Sequence, residues 1–511
     1  MNTSVSAFDH AHQSGDPATR PIADLPGRLA ALLLLAGSGH ARRRALPADL
    51  AGPHSDAFNR GFKVQSSRYS CWLGFVALCA VVLVGCGEQK KAVEPAAMES
   101  FLERHWADPL PPQGVPPAGF SPLEASLSPD SCGQCHAEQF KTWQTSLHSK
   151  AMGAGLLWQL KLMDQNQGNR CLRCHAPLAE QKALLAMQLG WPNAPKQAPP
   201  DYVSADLGHR GLVCAACHLR EHRRFGPPAR GRVVSGGVAA DGAQVQTATA
   251  TPSPDGTDRS TNNPYAPHGG FTIAPMFQDS QFCAHCHQFP EDGPRIAGKL
   301  QEDTYQQWLA SPYAQEGPGK RTCQNCHMPD RQHLWRGIHD PEMTRRALDV
   351  SLRLVDLGGN RFEARATLRN SGAGHHFPTY MVPKVELNFV LLNAKKPAKP
   401  LGQHVIGWLV DTGITREIAD TRLAAGESRE FRQALQAPAG NAWRVVLIMQ
   451  VAPGEHYERI FRDSLGRVDQ FPADVEPLLR QALVEARSKR YELLRIEAHP
   501  PGKSRATPIA N

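Results

Sequence analysis

Ten of the thirteen cysteines in this 511-residue chain stand in five copies of one pattern, Cys-x-x-Cys-His. The copies are Cys132/Cys135/His136, Cys171/Cys174/His175, Cys214/Cys217/His218, Cys283/Cys286/His287 and Cys323/Cys326/His327. Thirteen Cys and 22 His scattered at random over this length would give far less than one copy. Two thiols three residues apart are spaced to form thioethers with the two vinyl groups on one haem edge, and the following His turns back to bind the iron. The pattern therefore predicts five covalent c-type haems, with those ten cysteines as attachment points and His136, His175, His218, His287 and His327 as proximal iron ligands. Structural zinc also uses Cys-x-x-Cys, but it does not require a His directly after each pair. A disulfide framework fails as well, because five adjacent pairs would staple no long loop.

The remaining cysteines, Cys71, Cys79 and Cys86, lie in or just after the apolar run from Cys71 to Gly85. The run is too short to span a bilayer but suits the apolar region of a signal peptide, with Arg60, Lys63 and Arg68 as basic flanks. Leu83-Val84-Gly85-Cys86 resembles a bacterial lipobox, so 64–85 reads as a lipoprotein signal peptide and Cys86 as the lipidated first residue of the mature chain. Processing there accounts for every cysteine. Residues 1–63 are too long for the leading part of a signal peptide, which suggests a mis-assigned start and translation from near Val64.

Residues 86–120 contain Pro109-Leu-Pro-Pro-Gln-Gly-Val-Pro-Pro117 and are expected to form an extended tether. The haem motifs occupy 121–346, and Ala137–Ala151, Pro177–Leu189 and Glu302–Ala310 carry helical periodicity. Ser235–Asn263, rich in Gly, Ala, Thr, Ser and Pro, reads as a surface loop. From about Ala347 the period changes. Leu348–Leu354, Phe362–Leu368, Val385–Leu391 and Trp443–Val451 alternate apolar and polar residues, which predicts an antiparallel β-sandwich over 347–498. Val475–Ala486 has the spacing of an amphipathic helix with Asp474 as its N-cap, and 499–511 is expected to be a disordered tail. The fold class is α+β: a haem-packed region of short helices and loops, then a sandwich-like domain with a helix near its end.

Charge adds little. The formal +8 is scattered without a basic stripe or aromatic RNA-binding motif, so nucleic acid is not an expected partner. Removal of 1–85 leaves +5, which ten haem propionates can cancel.

A haem with His or Met on both faces transfers electrons, whereas an open sixth position invites small-molecule chemistry. His148, His268 and His339 are the leading distal candidates, followed by His333, His222 and His209. His375 and His376 lie in Asn370-Ser-Gly-Ala-Gly-His-His-Phe-Pro-Thr379, where the glycines permit close approach to a neighbouring haem; an ordinary turn with surface histidines is the alternative. Met152, Met276 and Met381 are further possible ligands, and His285, between two attachment cysteines, suits a propionate better than an iron.

Cys132-Gly-Gln-Cys-His136 with Trp143 and Ser146-Leu-His148, Gly211-Leu-Val-Cys-Ala-Ala-Cys-His218, and Cys323-Gln-Asn-Cys-His-Met-Pro329 resemble the multihaem c-type cytochromes, a superfamily that includes the tetrahaem cytochrome of ammonia oxidisers and the hydroxylamine oxidoreductases. Gly374-His-His-Phe-Pro-Thr379 is similar to a Gly-His-x-Phe-Pro-Thr-Gly motif of multihaem cytochromes with a C-terminal β-domain, with Tyr380 in place of the last Gly. The resemblance implies closely stacked haems passing electrons along a chain. No Cys-x-x-Cys-Lys site of the pentahaem nitrite reductase kind is present.

The expectation is an electron carrier, not an enzyme, in a bacterial cell envelope. Its lipid anchor at Cys86 would sit in the outer membrane, since Gly87 and not Asp follows, and its partners would be redox proteins. Two alternatives stand beside it. One is a reductase or oxidase of a small nitrogen or sulfur compound with one five-coordinate haem; the other is a haem-bearing structural subunit of an outer-membrane or extracellular assembly. Mass spectrometry of the native protein should find five covalent haems, and three or fewer would overturn the reading.

Overall fold

The computed structural model describes residues 95–228, 270–394, 396–440 and 442–501. The segments 1–63 and 64–85, Cys86, the 235–263 loop, His268 and most of the expected tail lie outside the described residues. The fold is α+β: short helices and loops over the motif region, then antiparallel sheets.

Residues 95–120 do not form the expected extended tether. Helix α1 (Pro95–His105) and the chain after it bury Met98, Phe101, Trp106 and Leu110, the first three in a cluster with Phe225, Met276 and Phe282. The Gln113 amide donates to Glu180 Oε1 at 2.6 Å. Proline content suggested a solvated chain; four large apolar side chains give the segment a surface that gains by burial.

After the first motif come α2 (Ala137–Thr145) and a 3-10 turn at His148–Lys150, then α3 (Ala154–Leu160). Helix α4 (Gln165–His175) starts at a capping box: Asp164 accepts from the Gln167 amide at 2.9 Å and the Gln167 side chain accepts in return. Helix α5 (Ala179–Leu189) stops at Gly190, whose φ of +67° is the left-handed cap that favours glycine.

The C-terminal region is a sandwich of two antiparallel sheets. Strands β1 (Leu348–Asp356), β2 (Arg361–Asn370), β3 (Lys384–Asn393), β4 (Lys396–Ile406), β5 (Trp408–Val410), β6 (Glu417–Asp420), β7 (Ser428–Gln436), β8 (Trp443–Ala452) and β9 (Tyr491–Ala498) follow in order. One sheet runs β7–β2–β1, the other β9–β8–β3–β4, and β5 with β6 makes a separate pair. Alternation does the sorting: Ala364, Ala366 and Leu368 of β2 face Val385, Leu387 and Phe389 of β3 and Val445, Leu447 and Met449 of β8 in one core. Within the larger sheet Leu447 pairs with Phe389 and Met449 with Leu387.

Helices α6 (Glu455–Leu465) and α7 (Glu476–Ser488) lie between β8 and β9. Val475 and not Asp474 occupies the N-cap of α7, and the Asp474 carboxylate pairs with Lys161 instead. A second core joins the two regions. Ala154, Trp158 and Ile296 pack with Met381, Val382, Trp408, Phe461 and Leu479, so the chain on either side of Ala347 shares one apolar cluster. Tyr313 Oη donates to Ser371 O at 2.8 Å and Tyr491 Oη to Ile338 O at 2.7 Å across the same divide.

Phe389 is wholly buried between the sheets. Phe389→Ala should therefore cost about 3–5 kcal/mol of stability, read from denaturant unfolding by far-ultraviolet dichroism. A loss below about 1 kcal/mol would show that the two sheets do not share a close-packed core.

Candidate haem sites

Each motif is a turn or short helix that ends on or just before its histidine. Gln165–His175, Cys214–His218, Gln281–His287 and Cys323–His327 are helical through both cysteines; in the first motif Cys132 lies in the helix Pro129–Gly133 and Cys135 just beyond it. Residues three apart on a helix share a face, so each pair of thiols points the same way.

Backbone carbonyls orient three of the motif histidines as ligands. Nδ1 of His175 donates to Ala151 O at 2.8 Å, that of His218 to Phe225 O at 2.8 Å, and that of His327 to Arg336 O at 2.5 Å. A proton held on Nδ1 leaves the Nε2 lone pair free for a metal and fixes the ring's direction. Burial lowers the pKa of His136, His175, His218 and His327. Yet none of the five motif histidines is fully covered, and Cys135 and Cys326 are exposed. Rings that are desolvated but uncovered border enclosed spaces, which suits a large planar cofactor between elements.

The motifs also meet one another. The Cys132 thiol lies near that of Cys214, Cys174 near Cys286, and Cys283 near Cys323, each close enough to shift the other's pKa. Cys217 is close enough to influence both Cys283 and Cys286.

Three further imidazoles stand opposite motif histidines. The ring centres of His148 and His287 are 6.3 Å apart, those of His333 and His218 6.1 Å, and those of His375 and His327 6.3 Å. An iron bound by one ring nitrogen on each face, at about 2 Å per bond, holds two imidazole centres roughly 6 Å apart. The spacing fits a bis-histidine haem and is too wide for direct stacking contact.

Local structure sets each of these rings. His148 sits on the 3-10 turn after α2, with Trp335 at 4.4 Å and its Nδ1 buried without a partner. Gly211, at φ +67°, packs there so closely that a Cβ would lie 2.4 Å from His148 O. His333 donates from Nδ1 to Arg331 O at 3.0 Å, and its amide donates to Thr142 Oγ1. His375 donates from Nδ1 to His376 O at 2.9 Å, while Asn370 Nδ2 donates to His375 O. Gly372 allows that loop to lie against Arg346, since a Cβ there would fall 1.9 Å from Arg346 O. Burial pushes His148 down to about 3 and His333 and His375 to about 4, so all three are neutral near pH 7.

The other candidates are placed differently. His209 is exposed and pairs with Gln188 Oε1 at 2.6 Å. His222 is buried, with Nε2 donating to Gly114 O at 3.0 Å and its ring edge-on to Tyr202. Half-buried His339 and His376 each have a buried Nδ1 without a partner, His339 near Lys489 and His376 near Arg422. Among the described residues none of these four makes a ring contact with a motif histidine. His285 stacks on Trp106 at 4.9 Å, and Met152, Met276 and Met381 are buried in apolar clusters. Sequence reasoning passed over His105, whose Nε2 donates to Cys217 O at 2.8 Å, and over Tyr380, which packs against the cluster holding Ala154 and Trp158. No local pattern marks any of them.

No curated protein matches the chain significantly. The model of the family "Cytochrome c554 and c-prime" matches residues 131–190, which hold the first two motifs. Among solved structures, a penta-heme cytochrome c552 from Thermochromatium tepidum is similar at 18% identity and a TM-score of 0.44, over 70% of this chain and 97% of that one. The family match and the geometry of the motifs together support a multihaem cytochrome of the c type with covalently attached haem.

Proposed function

We propose that the protein relays electrons through five covalent haems, outside the cytoplasm in a bacterial cell envelope. The observation that carries this reading is the nearness of thiols of different motifs. The thiols of the first and third sites, the second and fourth, and the fourth and fifth lie close enough to shift one another's pKa, and Cys217 brings the third near the fourth. Cofactors attached at adjoining sulfurs form one connected path, with the fourth site at its branch point.

The haem supplies one-electron chemistry when bound. The chain desolvates most of the ligand rings and orients five of them, His175, His218, His327, His333 and His375, through backbone carbonyls. His148 is the distal ligand at the fourth site, His333 at the third and His375 at the fifth. Two imidazoles favour a lower potential than His with Met, which suits transfer among low-potential partners. Lipidation at Cys86 would tether the protein to a membrane, and donor and acceptor would be redox proteins.

A second reading is favoured by one feature. His175 is anchored like His218 and His327, but among the described residues no imidazole makes a ring contact with it from the opposite side. If no residue outside the described ones, His268 among them, reaches that side, a haem there would keep an open position, and the protein would then also bind or convert a small nitrogen or sulfur compound.

Electron paramagnetic resonance of the oxidised protein tests the ligand set. His148→Ala, His333→Ala and His375→Ala should each turn one low-spin haem high-spin with its thioethers intact; an unchanged spectrum in any of them removes that assignment. In the wild type, one equivalent of high-spin iron is expected on the second reading and none on the pure relay. Cys86→Ser should release the protein into the soluble fraction or stall its processing, and unchanged size and membrane association would overturn the anchor.

A further inference from the structure

The loop that carries His375 is held by side-chain amides from both regions of the chain. Asn370 closes strand β2 and is wholly buried. Its Nδ2 donates to His375 O at 2.8 Å and to Leu423 O at 3.1 Å, and its Oδ1 accepts from the Ala373 amide at 3.1 Å. Gln307 reaches the same loop from the motif region, on the short helix Thr304–Leu309, and is buried too. Its Oε1 accepts from the His376 amide and from Thr379 Oγ1, each at 3.0 Å, and its Nε2 donates to Thr379 O at 3.4 Å. The approach is close: a Cβ on Gly374 would lie 3.1 Å from both Trp308 and Tyr313.

These bonds converge on the imidazole of His375. The peptide plane between His375 and His376 is pinned at both ends, its carbonyl by Asn370 and its amide by Gln307. The next plane carries His376 O, which accepts from the His375 ring Nδ1 at 2.9 Å, and the Phe377 amide, which donates to Leu423 O at 2.8 Å. Leu423 O is the oxygen that Asn370 also holds. Two consecutive planes are thus fixed, and the ring is bonded to the second, so it has little freedom to turn. Its plane lies 16° from that of His327, against 34° and 35° in the other two opposed pairs.

We propose that Gln307, acting with Asn370, is a positioning residue of the fifth haem site: the two amides fix the plane of the His375 ring against His327. This rests on the reading of His375 as the distal ligand of that site. Both amides act through the loop backbone, and neither is itself a ligand. Gln307 belongs to the motif region and Asn370 to the sandwich, so ligation at the fifth site depends on both regions at once.

The test uses the full, oxidised holo-protein. The angle between two ligand rings governs the g-values of a low-spin ferric haem, and the signal lost in His375→Ala identifies the fifth site. Gln307→Met keeps the length of the side chain and removes its amide. In that variant the same signal should shift and broaden, and cyanide should displace His375 about tenfold more readily, the scale of one hydrogen bond. Gln307→Glu keeps an acceptor for the His376 amide and the Thr379 hydroxyl, and should return the signal to its wild-type position. If His375→Ala changes no signal, the distal-ligand reading falls and the clamp with it. If His375→Ala opens one haem, yet Gln307→Met leaves that haem's signal and cyanide affinity unchanged, the ligand stands and the clamp is refuted. Changes spread over all five haems, or no recovery in Gln307→Glu, would refute it equally, since they would mark a loosened fold and not a released ring.

Discussion

An imidazole taken out of water sheds its proton, and the hydrogen bond made by one ring nitrogen decides what the other can bind. That interaction recurs at five of the rings described above. Ala151, Phe225 and Arg336 lend their carbonyls to three motif histidines, and Arg331 and His376 lend theirs to two of the rings opposite. Each of these carbonyls lies outside the motif that it serves. The haem sites are thus assembled by tertiary packing, although the covalent attachment points are contiguous in sequence.

This explains what the sequence made legible. Cys-x-x-Cys-His is local chemistry, so attachment points and proximal ligands can be read from spacing alone. Opposing rings are not local: His148 follows the first motif yet faces His287 of the fourth, and His333 follows the fifth yet faces His218 of the third. The spacing nominated both residues without saying which iron either serves. His209, His222 and His339 carry the same sequence signal and are differently placed, because nothing local distinguishes a ring bonded to Gln188 or Gly114 from one aimed at a metal.

The sandwich was legible where strands are half-buried and opaque where they are not. Strands β2 and β3 alternate through their length, and β8 does so up to Val451 except at Val446, which is buried as well. Strand β4 lies at the edge of its sheet and carries Pro397 and Pro400, tolerable there because an edge strand leaves ladder positions unpaired. In β7 the buried apolar residues, Phe431 and Leu435, are four apart, a spacing that imitates a helix. Helix α1 was hidden for another reason: the prolines after it suggested a solvated tether and drew attention from Phe101 and Trp106.

The join between the two regions is where packing and function converge. The segment from Asn370 to Val382 enters from β2 and presents His375 to the fifth motif, and it can lie so close only because residue 372 has no side chain. Five residues on it packs Tyr380 against the apolar cluster that contains Trp158, and then gives Met381 and Val382 to that cluster. One short stretch therefore reaches the fifth motif and the core that joins the two regions. A separate sandwich joined by a flexible linker could not hold His375 to the fraction of an ångström that metal ligation demands. The shared core is what fixes the C-terminal region, and His375 with it, against the haem motifs.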